Sequence, residues 1–166
     1  MGQYWIPVNL DKKEYIEPHD LGCGLKLWEQ LASRPGTGTA LVLLCAAMPE
    51  MRGGGDLDLE EIEDKAYQEI AARTIGRWAG DRIAFVGDYA EDYDLSPEYR
   101  AESIYARCGD RMSDLNEAQR NDPERFNGFT EDDLYTDIST DVCAVIEHEL
   151  DGRYEGNGWR DWKRSE

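Results

Sequence analysis

The chain has 166 residues, of which 40% are hydrophobic and 10% aromatic, so it can bury a core of its own and is not a disordered polymer. Its formal net charge of −18 repels nucleic acid and anionic lipid, which excludes direct binding to either. We expect a cytoplasmic protein, because the N-terminus lacks the basic and apolar regions of a signal peptide and the longest apolar run has about half of the ~20 residues that a membrane span needs.

The N-terminal residues predict a β-hairpin. Residues 3–10 (QYWIPVNL) contain the β-formers Trp5 and Ile6, and Pro7 indicates an edge strand or a bulge. A polar turn around Asn9 and Asp11 follows, and residues 14–19 (EYIEPH) then suit a short second strand.

A helix and a buried strand are predicted next. Residues 20–35 (DLGCGLKLWEQLASRP) place Leu21, Leu25, Trp28 and Leu31 at helical spacing, so these four side chains should face the core. Residues 39–48 (TALVLLCAAM) form a continuous apolar run whose length favours a central strand, with a buried helix as the alternative.

The middle of the chain predicts another helix and another strand. Asp58 is a good N-cap, Glu61 stands three residues later, and the apolar face that follows should continue until shortly before Gly80. Residues 81–90 (DRIAFVGDYA) then read as a strand.

The C-terminal third is less regular. Residues 103–108 (SIYARC) suit a strand, Ser113 suits the cap of a short helix, and residues 137–152 predict a last helix ended by Gly152. The four cysteines form no CxxC pair, so we expect neither zinc nor disulfides, with Cys45 and Cys143 in the core.

Together these elements predict a single α+β domain over residues 1–166, with a small, mostly antiparallel sheet and about three main helices packed on it. The charge is distributed unevenly along this domain. Residues 56–151 hold 27 acids and 9 bases and so carry the whole imbalance, whereas the tail, residues 152–166, is aromatic and slightly basic.

Three segments carry a family resemblance: GQYWIPVNLDKKEY, IGRWAGDRIAFVGDYAEDYD and YTDISTDV. With these motifs, the chain resembles a family of small uncharacterised proteins found in bacteria, their viruses and fungi. The resemblance spans most of the chain and implies a compact single domain. It implies no activity and no catalytic residues.

Four acids lie at the end of the strand predicted within residues 81–90 or directly after it, and they are the candidate metal ligands: Asp88, Glu91, Asp92 and Asp94. The end of a strand can hold the first carboxylate rigidly, so Asp88 is the strongest candidate among them. Their oxygens would suit Ca²⁺ or Mg²⁺, although the spacing does not match an EF-hand. The simpler interpretation, which we favour, is a solvated acidic loop in an acidic protein. No cofactor is predicted beyond such a divalent cation.

Two further kinds of residue are candidates for function. His148 lies between two glutamates on the last helix, where it would suit a general acid or base, and His19 is the only other histidine; each is more simply an ordinary surface or turn residue. Trp159 and Trp162 in the tail form a pattern suited to partner binding, and docking onto the body of the protein is an equal alternative.

These features favour a non-enzymatic binding or regulatory protein that engages a basic protein surface, imitating the charge of nucleic acid. The alternative is a small divalent-metal-dependent enzyme acting on a nucleotide or another phosphate-bearing substrate. A third interpretation of the acidity is adaptation to high salt, with an unrelated function.

Overall fold

A computed structural model describes residues 3–33, 35–47, 63–96, 99, 101–108 and 134–150. The chain adopts an α+β fold with a small mixed sheet. Its strands are β1 (Trp5–Asn9), β2 (Glu14–Tyr15), β3 (Ile83–Gly87) and β4 (Thr136–Asp137). The helices of the described part are α1 (Leu27–Ala32), α2 (Thr37–Cys45), α3 (Lys65–Thr74), α4 (Ala101–Arg107) and α5 (Ser139–Leu150).

The sheet has the order β3-β1-β2-β4. Two of its three strand pairs are antiparallel, and β2 pairs with β4 in parallel, which confirms a mostly antiparallel sheet. The predicted hairpin is present as β1 and β2, but β1 is a central strand rather than the edge strand that Pro7 indicated. Pro7 is tolerated there because β2 ends at Tyr15, which pairs with Val8. The Pro7 carbonyl still accepts from the Ile16 N–H at 3.2 Å, but no strand pair at Pro7 requires the N–H that proline lacks on the side of β2.

The described residues fall into two compact units, with the four strands and α4 in the first and α2, α3 and α5 in the second. In the first unit, one face of the sheet carries the core. Ile6, Val8 and Val86 are buried there against Ala101 and Ile104 of α4. The strand predicted over residues 103–108 is therefore wrong: this segment is mostly helical, because its apolar side chains are buried at helical spacing against the sheet.

The second unit is helical. The strand predicted over residues 39–48 is wrong, because residues 37–45 form α2, with Ala40 and Leu44 fully buried four residues apart on one face. The leucines and alanine of this segment favour a helix. Near its end, the carbonyls of Leu43 and Leu44 accept hydrogen bonds from the N–H groups of Gly76 and Trp78 at 3.0 and 2.8 Å. Trp78 is fully buried.

Helix α3 begins later and ends earlier than expected. Asp64 caps it by accepting from the N–H groups of Ala66 and Tyr67, and the helix ends at Thr74, so that turns rather than helix lead to Gly80. Tyr67, Ala71 and Ile75 form a core with Val145 of α5, and α5 matches the last predicted helix.

The first predicted helix is much shorter in the structure. Gly22 adopts a left-handed conformation at φ 71°, so the chain turns there and α1 begins only at Leu27. The register of the helix then differs from the prediction: Trp28 and Leu31 are 78% and 55% exposed, whereas Gln30 is fully buried. The core positions assigned to Trp28 and Leu31 are therefore wrong.

Some predicted features lie outside the described residues, namely the cap formed by Asp58 and Glu61, the short helix capped by Ser113, and Trp159 and Trp162. Within the described part of the chain, no helix is both long and apolar enough to cross a membrane.

Candidate functional site

The candidate acids lie in a loop built from two consecutive reverse turns after β3. The Ala90 N–H donates to the Gly87 carbonyl at 3.0 Å, and the Asp94 N–H donates to the Glu91 carbonyl at 2.9 Å. The Asp94 carboxylate in turn accepts from the Glu91 N–H at 2.9 Å, which closes the second turn from the other side. The loop is therefore held by local hydrogen bonds.

Asp88 joins this loop to the first strand. Its Oδ1 accepts from the Tyr4 N–H at 2.9 Å, while its own N–H donates to the Tyr4 carbonyl at 3.0 Å. These two bonds extend the pairing of β1 with β3 beyond Trp5 and Gly87, where that pairing otherwise ends. The rigid position predicted for Asp88 is thus present, and the bonds show that it holds the strand ends together.

Three exposed tyrosines lie in this loop or hydrogen-bond through their backbone to its first acid. Tyr4, Tyr89 and Tyr93 are 46%, 58% and 75% exposed. A hydrogen bond to the Glu91 carboxylate raises the pKa of Tyr93, and the charge of nearby Asp94 adds to this rise, so the phenol stays protonated at neutral pH. We call this surface the tyrosine–acid surface; it comprises Tyr4, Asp88, Tyr89, Glu91, Asp92, Tyr93 and Asp94.

Most of its carboxylates are satisfied by neutral donors. Asp88 and Asp94 accept hydrogen bonds from backbone N–H groups, and Glu91 accepts one from the hydroxyl of Tyr93. Among the described residues, none of these three has a cationic partner. Their negative charge is consequently not neutralised by that part of the chain.

A second polar cluster occupies the opposite end of the same two strands. Asn9 is fully buried; its Oδ1 accepts from the N–H groups of Asp11 and Lys12, both at 2.9 Å, and its Nδ2 donates to Asp81 Oδ2 at 2.8 Å. Asp81 also pairs with the Lys12 ammonium. These hydrogen bonds, first that from Lys12 and then that from Asn9, hold the pKa of Asp81 below its usual range.

Arg82 completes this cluster. Two of its guanidinium N–H groups donate to Asp11 Oδ1 at 2.9 and 2.6 Å, and its backbone N–H donates to Asp11 Oδ2 at 2.6 Å. These bonds lower the pKa of Asp11, and the guanidinium also lies over the Tyr99 ring, 4.8 Å from its centroid. We call this set the paired network; it comprises Asn9, Asp11, Lys12, Asp81 and Arg82.

The polar turn predicted around Asn9 and Asp11 is present, but the sequence pattern did not reveal the paired network. Its residues lie in two short segments of the sequence: NLDK holds residues 9–12, and GDRI holds residues 80–83. The structure brings these segments together through hydrogen bonds, which assigns them a structural role in the first unit.

His148 lies in the second unit, stacked on the Tyr67 ring with the ring centroids 3.5 Å apart and the planes 12° apart. The Tyr67 hydroxyl donates to the Glu149 carboxylate, whereas His148 Nδ1 is buried without a hydrogen-bond partner. The side chain is half-buried rather than a solvated residue of the outer helix face. The stack packs α5 against α3, and the role of His148 as an acid or base stays a prediction.

Cys108 is not an activated thiol. Burial raises the pKa of the Cys108 thiol well above its usual range, and burial also raises the pKa of the adjacent Tyr135 to about 12, so both stay protonated at neutral pH. Cys45 is exposed, so its predicted core position is wrong: α2 turns that residue outward, whereas a strand would have allowed it inward.

No group of three or more His, Cys, Asp or Glu side chains suited to a metal ion occurs among the described residues, which include His19, His148 and the four acids of the loop. Asp88, Glu91 and Asp94 each accept a hydrogen bond from a different neutral group of the protein. The metal-dependent enzyme stays a prediction.

The fold and this surface define a small acidic α+β protein that presents tyrosines and carboxylates at the end of a strand pair. No protein-family model, curated protein or solved structure matches the chain.

Proposed function

We propose that this chain is a non-enzymatic binding or regulatory protein that engages a basic protein surface through its tyrosine–acid surface. The observation that carries the proposal is the state of its carboxylates. Asp88, Glu91 and Asp94 are held by neutral donors and have no cationic partner within the described part of the chain, so their charge is available to an external cation.

The charge of the whole chain supports this kind of partner. The net charge of −18 attracts a basic protein over a distance of about a Debye length, roughly 10 Å at moderate salt, and speeds their encounter. A basic protein surface that binds the phosphates of nucleic acid would experience a comparable negative electrostatic potential near this chain. The proposed mode of action is therefore competition with nucleic acid for such a surface.

The tyrosines supply what charge alone does not. Exposed carboxylates on a surface give little net affinity, because solvent screens them and ordering their side chains opposes binding. Tyrosine rings contribute a large contact area at low entropic expense, which is why they are frequent in binding surfaces. Tyr89 and Tyr93 lie within the acidic loop itself, so both kinds of contact are available on one short segment.

The test compares two doubly neutralised variants of the full chain with the same net charge. Glu91→Gln with Asp94→Asn removes two charges from the loop, and Glu69→Gln with Glu147→Gln removes two exposed charges from α3 and α5. Binding to a lysine- and arginine-rich peptide is measured by fluorescence anisotropy at low salt. We expect the loop variant to bind about fivefold more weakly than the control variant.

Equal weakening by the two variants would show that only net charge matters and would refute the assignment of the surface. Absence of binding by the unmodified chain at low salt would refute the function itself. A melting curve in dilute buffer distinguishes the proposed function from adaptation to high salt. A chain adapted to high salt unfolds in dilute buffer, because its acids then repel one another without screening by ions.

A further inference from the structure

We infer that the outer edge of β3, the edge that faces away from β1, binds an extended basic segment of a partner protein as an added strand of the sheet. This inference rests on the proposed function for the charge of the partner. It adds contacts with the backbone of β3 to those of the tyrosine–acid surface.

The backbone groups of β3 alternate between β1 and the outer edge. The Leu10 N–H donates to the Arg82 carbonyl at 2.9 Å, one residue beyond the pair of Asn9 with Ile83. Hydrogen-bonded and non-hydrogen-bonded pairs alternate along antiparallel strands, so Ile83 and Phe85 lie in non-hydrogen-bonded pairs with β1. Their N–H and carbonyl groups therefore point to the outer edge. No hydrogen bond to these groups occurs in the described part of the chain.

The two edge strands of the sheet differ in length and composition. At one edge, β4 has two residues, both exposed and one of them charged, and the preceding Tyr135 forms a bridge with Cys108 on its outer side. Short, charged or covered edges are the usual protection against pairing with another chain. At the other edge, β3 has five residues with no lysine, proline or charge among them. The edge formed by β3 therefore lacks this protection.

The side chains of β3 indicate which strand fits. Ala84 and Val86 belong to the core formed with α4, so Ile83 and Phe85 lie on the opposite face of the sheet, where both are half-buried. Apolar side chains at every second position of an added strand would pack beside Ile83 and Phe85 and complete their burial. The added strand therefore alternates apolar residues with others.

Charge selects the partner that supplies this strand. Two copies of the chain, each with a net charge of −18, repel one another, which opposes the pairing of β3 with a second β3. The same charge attracts a basic segment. At the ends of β3, Arg82 is paired with Asp11, whereas Asp88 has no cationic partner in the described part of the chain. The favoured occupant is therefore a basic strand with apolar residues at every second position.

The main experiment follows the hydrogen exchange of single backbone amides by NMR, in the full chain with and without a peptide that alternates lysine with valine. The amides of Ile83 and Phe85 should exchange rapidly in the free protein and at least about tenfold more slowly with saturating peptide. The amides of Ala84 and Val86 are the internal control. They bond to β1 and should exchange slowly in both states.

A matched pair of variants tests the same contact by affinity. Phe85→Pro removes an outward N–H without removing a bond to β1, and it should weaken binding of the lysine–valine peptide about fivefold. Phe85→Leu keeps this N–H and should bind nearly as the unmodified chain does. A peptide that alternates lysine with proline has the same charge but cannot pair as a strand, so it should also bind about fivefold more weakly.

The outcomes distinguish this inference from the proposed function. Equal affinity for the two peptides, or binding without added protection at Ile83 and Phe85, would overturn the added strand and leave the proposed function standing. No affinity for either peptide would overturn both. Protection of these two amides in the free protein would show that the edge is already covered, by a second copy if it increases with protein concentration, and would also overturn the inference. The exchange measurement needs no variant, so it decides the question even if Phe85→Pro does not fold.

Discussion

The two ends of the β1–β3 strand pair treat their acidic residues in opposite ways. At the end near Asn9, Asp11 and Asp81 each bond to a cation, Arg82 and Lys12 respectively. At the end near Gly87, Asp88, Glu91 and Asp94 bond to backbone N–H groups or to a phenol. The two ends share the same strands and differ in their donors.

The number of acids in a segment therefore does not indicate whether the segment serves structure or binding. An aspartate with a cationic partner and a buried amide beside it stabilises the turn on which it lies. A carboxylate held by neutral donors is fixed in place without losing its charge, and it remains able to bind something else. The first arrangement suits structure, and the second suits recognition.

The largest expected effect is on the paired network. Asn9→Leu would remove one hydrogen bond to Asp81 and two to backbone N–H groups, and it would leave buried polar groups unsatisfied. We expect a loss of about 3 kcal/mol in the free energy of unfolding, measured by urea denaturation. Asn9→Asp is the control, since it keeps the acceptor for the turn but repels Asp81. A loss of less than about 0.5 kcal/mol in Asn9→Leu would contradict the structural role.

The next effect depends on pH. The lowered pKa values of Asp11 and Asp81 mean that their bonds stabilise the folded state above the unfolded pKa of about 3.9 and are lost as pH falls through the lower folded value. We therefore expect the unmodified protein to have a higher melting temperature than the Asp81→Asn variant. The difference in melting temperature should be constant from pH 7 to about 5 and should disappear below about pH 4. A margin that grows on acidification would show that the sign is wrong.

Asp88 allows a smaller effect at the other end of the strands. Asp88→Ala should reduce the free energy of unfolding by about 1 kcal/mol, because the Tyr4 N–H loses its acceptor. Asp88→Asn keeps an oxygen acceptor and should change stability little. If both variants lose stability equally, the charge of Asp88 matters to the fold, and the contrast between the two ends fails.

The smallest expected effect sharpens the comparison most. Glu91→Gln with Asp94→Asn should change the free energy of unfolding by less than about 0.5 kcal/mol, since neutral oxygens can accept the same hydrogen bonds. The same variant is expected to bind a basic peptide more weakly. Thermal melting monitored by circular dichroism checks the first expectation. A large loss of stability here would assign these acids to the fold instead of to binding.

Part of the fold follows from local pattern. The N-terminal hairpin and β3 are predicted correctly because runs of β-forming residues adjoin polar turns, and α5 is predicted correctly because its apolar residues keep helical spacing. Residues 37–45 fail because a continuous apolar run has no period that separates a strand from a buried helix. The burial predicted for Trp28 is wrong because the prediction assumed one continuous helix from residue 20. The left-handed turn at Gly22 interrupts that helix, and Trp28 then lies on an exposed face of α1.

For the candidate site, the amino-acid sequence alone shows the charge of −18, the acids and tyrosines of one loop, and the position of Asp88 directly after a strand. Tertiary structure decided which acids have cations, because Asn9, Lys12 and Asp81 meet only when β1 pairs with β3, across a sequence separation of 72 residues between Asn9 and Asp81. Composition counts charges, but only the pairing of distant strands selects the donor that each carboxylate accepts.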